Sequence, residues 1–73
     1  MFEEGDVLIC VDNESQTRIL TNGKEYVALF DATHSVAGWF VYVRCDNNRS
    51  AEFYCARFVL SNKTLVNKLF ADV

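Results

Sequence analysis

The segment that most constrains the fold is a pair of alternating runs, WFVYVRC (39–45) and AEFYC (51–55), separated by the polar stretch DNNRS. A period of two is typical of strands, because successive strand side chains point to opposite faces of a sheet. Two such runs around a short polar loop predict an antiparallel hairpin. The middle of the chain is therefore expected to be β-structure.

One register of this hairpin gives a continuous apolar face, and a slip of one residue would place Val43 against Glu52. The favoured register predicts that Val41, Val43 and Phe53 share the protein interior. Its outer face combines an opposite-charge pair with an aromatic pair, both of which stabilise sheets. The pairs are Cys45–Ala51, Val43–Phe53 and Val41–Cys55 inside, and Arg44–Glu52 and Tyr42–Tyr54 outside.

Three further strands are predicted, at about residues 7–11, 25–30 and 58–61. The first is apolar on both faces, which is typical of a strand covered on two sides in a tightly curled barrel. Asn22-Gly23 is a turn signal ahead of the second, and residues 31–38 are expected to be a loop. The prediction is a mainly β fold, a small five-stranded barrel over about residues 5–61.

A short C-terminal helix is predicted over about residues 62–71, capped by Ser61 or Asn62. Leu65 and Leu69 lie four residues apart, as do Val66 and Phe70, so one side of this helix is apolar. The helix is expected either to cover the outer wall of the barrel or to form an interface of its own. With 73 residues, the chain has room for a single domain spanning residues 1–73.

The charge distribution disfavours a general nucleic-acid binder. Ten acidic residues outnumber seven basic ones, the net charge is −3, and the basic residues are scattered singly along the chain, whereas phosphate backbones are bound by clustered cations. No apolar stretch approaches the roughly 20 residues that cross a bilayer, and the N-terminus is acidic. The expectation is a soluble, cytoplasmic protein without a membrane partner.

Catalytic and metal-binding motifs are not recognisable. Cys10, Cys45 and Cys55 have no C-x-x-C spacing and are expected to be free thiols in apolar surroundings. His34 stands without a nucleophile or paired carboxylates at a recognisable spacing, and a zinc site would need a fourth ligand. We therefore expect a non-enzymatic protein with no metal and no other cofactor.

Three segments, GDVLICVDN (5–13), LTNGKEY (20–26) and FYCARFVL (53–60), together resemble a pattern of small phage-encoded proteins with a Src-homology-3-like barrel. The likeness covers roughly residues 3 to 60. It implies such a barrel, and it implies a bacteriophage accessory protein in the host-cell cytoplasm. Many of these proteins have no known role, and some bind and disable a host enzyme.

The candidate partner-binding residues form two sets. Phe40, Tyr42 and Tyr54, with Arg44 at their edge, are predicted on the outer wall, where exposed aromatic rings beside an arginine are typical of interaction hot spots. The second set is the apolar side of the helix, Leu65, Leu69 and Phe70. The polar stretch 12–23 is long enough to be functional as well.

The leading hypothesis is a binding protein that modulates or inhibits a host protein. One alternative is a nucleic-acid-associated barrel, in which the wall rings stack on bases while Arg44, Arg49 and Arg57 hold phosphates. Another is a self-associating structural subunit. The chain is expected to be a monomer or a homodimer.

Overall fold

A computed structural model describes residues 1–70, and for Phe70 it describes the backbone alone. The fold is mainly β with one C-terminal helix, as the sequence predicts, and the strands form two three-stranded antiparallel sheets. Sheet A has the strand order β2-β1-β6, and sheet B has the order β3-β4-β5. The elements are β1 (Val7–Cys10), β2 (Glu25–Val27), β3 (Thr33–Ser35), β4 (Gly38–Arg44), β5 (Ser50–Tyr54), a 3₁₀ helix (Cys55–Arg57), β6 (Phe58–Leu60) and α1 (Asn62–Phe70).

The core lies between the two sheets. Leu8 of β1 is buried there together with Leu20, which reaches the core from the connection between β1 and β2. Val41, Val43 and Phe53 of sheet B are buried in the same cluster, so the predicted shared interior is confirmed. Removal of these apolar side chains from water is the main force holding the sheets together.

The predicted closed barrel of five strands is wrong: the structure has six strands in two sheets. The expected second strand ends at Val27, and beyond it a single isolated bridge joins Ala28 to Val43. The expected loop at residues 31–38 instead contains β3, which pairs with the beginning of β4.

The N-terminal segment explains this interruption. The Gly5 N–H donates to the Ala28 carbonyl (2.8 Å), and the Ala28 N–H donates to the Asp6 carbonyl (2.9 Å). The Ala32 N–H likewise donates to the Phe2 carbonyl (2.9 Å). Ala28 and Ala32 thus bond to the N-terminal segment, whereas the Leu29 N–H donates to the Tyr42 carbonyl of β4 (2.9 Å). These bonds satisfy backbone groups that a continuous second strand would have paired with its sheet neighbours.

The predicted hairpin register is wrong by two residues, although the two faces are assigned correctly. The structure pairs Val43 with Ala51, Val41 with Phe53, Tyr42 with Glu52 and Phe40 with Tyr54. The loop between β4 and β5 is shorter than DNNRS, because the Cys45 N–H donates to the Arg49 carbonyl (2.8 Å). Asn48 closes this three-residue loop with a φ of 65°, a conformation that asparagine tolerates.

The helix starts at Asn62 as predicted, whereas its predicted end near residue 71 lies outside the described residues. The Ser61 hydroxyl oxygen accepts the Thr64 N–H (3.3 Å), and the Thr64 hydroxyl bonds both the N–H (2.8 Å) and the carbonyl (3.3 Å) of Val7. Lys68 binds Glu3 (3.0 Å) and Asp6 (3.1 Å). Polar contacts therefore attach α1 to sheet A and to the N-terminal segment.

Candidate functional site

The outer face of sheet B carries four aromatic side chains, here called the aromatic wall: Phe30, Phe40, Tyr42 and Tyr54. The rings of Phe40 and Tyr54 lie across β4 and β5 with centroids 4.6 Å apart. Phe30, in the connection before β3, meets Tyr42 edge to face at 6.0 Å. The predicted aromatic pair was Tyr42 with Tyr54, and the two-residue register shift replaces it with these two contacts.

Much of the aromatic wall is in contact with solvent. The exposed fractions are 60% for Phe30, 41% for Tyr42 and 49% for Tyr54. Soluble monomeric proteins rarely expose large contiguous apolar patches, and those that do commonly use the patch as a binding surface. Phe30 was missed by sequence reasoning, because the hydrophobic pattern of the strand to which it was assigned did not determine which face points inward.

Two charged residues border the aromatic wall. Arg44 follows Tyr42 by two residues and lies opposite Ser50, and its Nη1 is 3.4 Å from the Asn48 side-chain oxygen. Glu52 lies directly opposite Tyr42. The predicted Arg44–Glu52 pair is not formed in this register, and no ion pair among residues 1–70 includes Glu52.

The helix residues form a separate surface. Helix α1 packs beside β1 of sheet A, and the exposed fractions of Leu65 and Leu69 are 42% and 74%. The side chain of Phe70 lies outside the described part of the chain. The structure thus brings Phe40, Tyr42, Tyr54 and Arg44 together, and it places Leu65 and Leu69 on a different element. Within residues 1–70, the helix leaves the aromatic wall uncovered.

Three side chains of the motif LTNGKEY donate hydrogen bonds to one carboxylate, that of Asp46 in the β4–β5 loop. Asp46 accepts hydrogen bonds from the Thr21 hydroxyl (2.7 Å), the Lys24 ammonium (2.7 Å) and the Tyr26 hydroxyl (2.9 Å). The Tyr26 hydroxyl in turn accepts the Thr21 N–H (2.8 Å). Hydrogen bonds from Lys24, Thr21 and Tyr26 lower the pKa of Asp46 from 3.8 to about 2. This cluster connects the two sheets.

Arg57 fixes the beginning of the connection at residues 12–23. Its Nη1 donates to the carbonyls of Asp12 (3.1 Å) and Glu14 (2.9 Å). The Arg57 carbonyl accepts the Val11 N–H (2.8 Å). The connection is thus held against the 3₁₀ helix, and much of the Arg57 hydrogen-bonding capacity is used within the protein.

The three cysteines are buried, whereas His34 is exposed. Cys10, Cys45 and Cys55 are buried free thiols, and burial raises the pKa of each above its usual value. His34 lies on β3 with its ring centroid 4.9 Å from that of Trp39. Among residues 1–70, no group of three His, Cys, Asp or Glu side chains could hold a metal ion.

An apolar cleft of about 480 Å³ opens where β5 meets the 3₁₀ helix. Most of its lining is hydrophobic: Met1, Phe2, Gly38, Trp39, Tyr54, Cys55, Ala56 and Phe58. Tyr54 belongs both to this cleft and to the aromatic wall. The cleft and the wall therefore form a continuous apolar region at one end of sheet B.

Comparison of the chain with protein-family models, with curated proteins and with solved structures found no match. Within the described residues, no helix combines the length and the apolar character that crossing a membrane requires. The proposal that follows accordingly depends on the geometry of sheet B and on the sequence resemblance given above.

Proposed function

We propose that this chain is a non-enzymatic protein that binds another protein through the aromatic wall of sheet B. The observation that carries the proposal is the exposure of Phe30, Tyr42 and Tyr54 on one sheet face, although an apolar helix is present in the same short chain. A helix and a sheet with unpaired apolar faces usually pack against each other. Here Thr64 attaches α1 to sheet A, and Lys68 attaches it to the N-terminal segment, instead.

Affinity at such a surface comes mainly from burying aromatic rings and excluding water around them. Arg44 and Glu52 supply charges of both signs at the border, and border charges mainly affect the association rate and its dependence on salt. Phe40 and Tyr54 already contact each other at 4.6 Å, so part of the surface is ordered before a partner binds.

The resemblance to small phage-encoded proteins extends the proposal to the biological role. On that basis the chain is an accessory protein made during infection, the partner is a host protein in the host-cell cytoplasm, and binding modulates or inhibits that protein. The wall and the helix surface are the two parts through which such an effect would be exerted.

A nucleic-acid-associated role is less well supported. Of the three arginines that would hold phosphates, Arg57 already donates to the carbonyls of Asp12 and Glu14. Arg44 and Arg49 remain at one end of the wall, and the net charge of the whole chain is −3. Nucleic-acid affinity depends strongly on the number of phosphates neutralised, so two cations give little binding at physiological salt.

The proposal is tested by capturing proteins from a host lysate on the immobilised chain. The double variant Tyr42→Ser, Tyr54→Ser should lose a protein that the wild type retains, because it removes two exposed rings from the binding surface. The control is Leu69→Ser, which removes from α1 an apolar side chain that is more exposed than either tyrosine.

Capture that survives the double variant and disappears in Leu69→Ser would contradict the proposal and move the contact to the helix. A mobility shift of DNA or RNA that weakens as salt rises would instead favour the nucleic-acid role.

A further inference from the structure

The outer edge of β5 presents unpaired backbone groups. The Cys45 N–H bonds the Arg49 carbonyl, and hydrogen-bonded and non-hydrogen-bonded pairs alternate along an antiparallel ladder. The Val43–Ala51 and Val41–Phe53 pairs are therefore the bonded ones. It follows that the N–H and carbonyl groups of residues 50, 52 and 54 point away from β4.

No strand within residues 1–70 lies beyond β5. The Tyr54 carbonyl is used by the first turn of the 3₁₀ helix, whereas the other outward groups, the N–H and carbonyl of Ser50 and Glu52 and the N–H of Tyr54, have no backbone partner in that part of the chain. The side chains of Ser50, Glu52 and Tyr54 are all exposed. With five residues, β5 is also the longest strand at a sheet edge, since β2, β3 and β6 have three residues each. Such an edge is a template for pairing with another chain.

The negative charge of Glu52, at the centre of this edge, indicates which kind of chain could pair with β5. Glu52 is the middle residue of β5 and takes part in no ion pair within residues 1–70. A second copy added about a two-fold axis at this residue would place Glu52 opposite Glu52, and like charges directly opposite each other destabilise a sheet. A basic side chain on a different protein would complement Glu52 instead.

The apolar cleft supplies a second contact at the Tyr54 end of the same edge. It is lined by Tyr54 and Cys55, the residues with which β5 ends and the 3₁₀ helix begins. A strand that runs along β5 and continues past Tyr54 therefore brings a side chain to the mouth of the cleft. The cleft lining is mainly hydrophobic, so an apolar side chain is the one that it would accept.

We propose that an extended segment of the partner protein adds to sheet B as a strand along β5. A basic residue of that segment lies opposite Glu52, and an apolar residue two or three positions away enters the cleft. Main-chain hydrogen bonds supply affinity and the alternate side chains supply specificity, as in other cases of strand addition. This inference depends on the proposed function, because it names how the partner at the aromatic wall is held.

The test is to select, from a displayed library of random linear peptides, those that bind the immobilised intact chain. Enriched peptides should contain Lys or Arg close to an apolar residue and should slow hydrogen exchange of the Glu52 and Tyr54 amides by about tenfold. Glu52→Pro removes one outward N–H and leaves the bonds between β4 and β5 in place, so affinity should fall by about tenfold. Glu52→Lys keeps the backbone donor and should reverse the charge preference of the peptides.

Several results would overturn the inference: no enrichment over an empty support, enrichment of acidic peptides, or binding that leaves the Glu52 and Tyr54 amides unprotected. Protection that appears in the free protein and grows with its concentration would make the occupant a second copy. Lysate capture separates this inference from the proposed function. Capture that depends on Tyr42 and Tyr54 but is unchanged in Glu52→Pro would leave the wall as the binding site and eliminate the strand addition.

Discussion

At the scale of single residues, Asp46 accepts hydrogen bonds from a short motif that is distant from it in the sequence. Thr21, Lys24 and Tyr26 all donate to its carboxylate, although it lies twenty or more residues further on. Gly23 adopts a φ of 85°, which is favourable for glycine, and so permits the turn between Thr21 and Lys24. The motif therefore serves to join the β1–β2 connection to the β4–β5 loop.

The Asp46 cluster predicts acid sensitivity in a defined range. Its pKa is about 2 in the folded protein against 3.8 ordinarily, so between these values the unfolded chain binds more protons than the folded one. The stabilisation is therefore complete above about pH 4 and is lost as the pH falls through about 2. Thermal unfolding of wild type and Asp46→Asn should show a stability difference that shrinks over this range. A difference that stays constant down to pH 2 would contradict the assignment.

Tyr26 contributes to the same cluster from the core side. Its ring is buried against Phe58, and its hydroxyl bonds both Thr21 and Asp46. Tyr26→Phe should cost about 1–2 kcal/mol in the free energy of unfolding, because the Thr21 N–H loses its partner while ring packing is kept. The measurement is chemical denaturation. The matched control is Tyr42→Phe, whose exposed hydroxyl bonds no group within residues 1–70 and should change stability by less than about 0.5 kcal/mol.

At the scale of elements, the docking of α1 depends on Thr64. The Thr64 hydroxyl accepts the Val7 N–H (2.8 Å), just beyond the last β1–β6 pair, and it also donates to the Val7 carbonyl, which accepts the Ser61 N–H as well. Thr64→Val keeps the shape and leaves the Val7 N–H without a partner, while the Val7 carbonyl still accepts the Ser61 N–H (2.9 Å). The loss of this one hydrogen bond should cost about 1–3 kcal/mol. Hydrogen exchange of the Val7 amide should accelerate accordingly.

Leu65→Ala is the control for this prediction, since it alters a half-exposed residue on the same helix and should change stability by about 0.5 kcal/mol or less. Equal losses in the two variants would mean that the apolar side chains, not Thr64, attach the helix.

Local patterns predicted the elements better than their pairing. The period-two runs identified β4 and β5 and their inward residues, and of the two predicted caps, Ser61 and Asn62, the structure shows Ser61 in that position. The register was missed because it depends on Asn48 closing a three-residue loop, which a hydrophobic pattern does not determine. The end of the second strand at Val27 was missed because Ala28 and Ala32 bond to the N-terminal segment and Leu29 bonds to β4, and these are contacts between distant parts of the sequence.

At the scale of the whole molecule, two apolar surfaces are exposed: the aromatic wall on the outer face of sheet B, and Leu65 and Leu69 on α1. The wall residues Phe40, Tyr42, Tyr54 and Arg44 were placed on one face correctly, because the register error was two residues and an even shift keeps every side chain on its face. Phe30 and the cleft could not be predicted from the sequence, since both arise from the way the two sheets come together. The sequence left open whether the helix covers the wall or forms a surface of its own, and within residues 1–70 it leaves the wall uncovered.

The central claim is that the aromatic wall is open to solvent and not covered by α1. The most direct measurement is NMR with a soluble paramagnetic probe, comparing the ring protons of Tyr42 and Tyr54 with those of buried Tyr26. We expect strong broadening of the ring-proton signals of Tyr42 and Tyr54 and weak broadening of those of Tyr26. Protection of all three tyrosines in dilute protein, together with contacts from Leu65 or Leu69 to the wall rings, would contradict it.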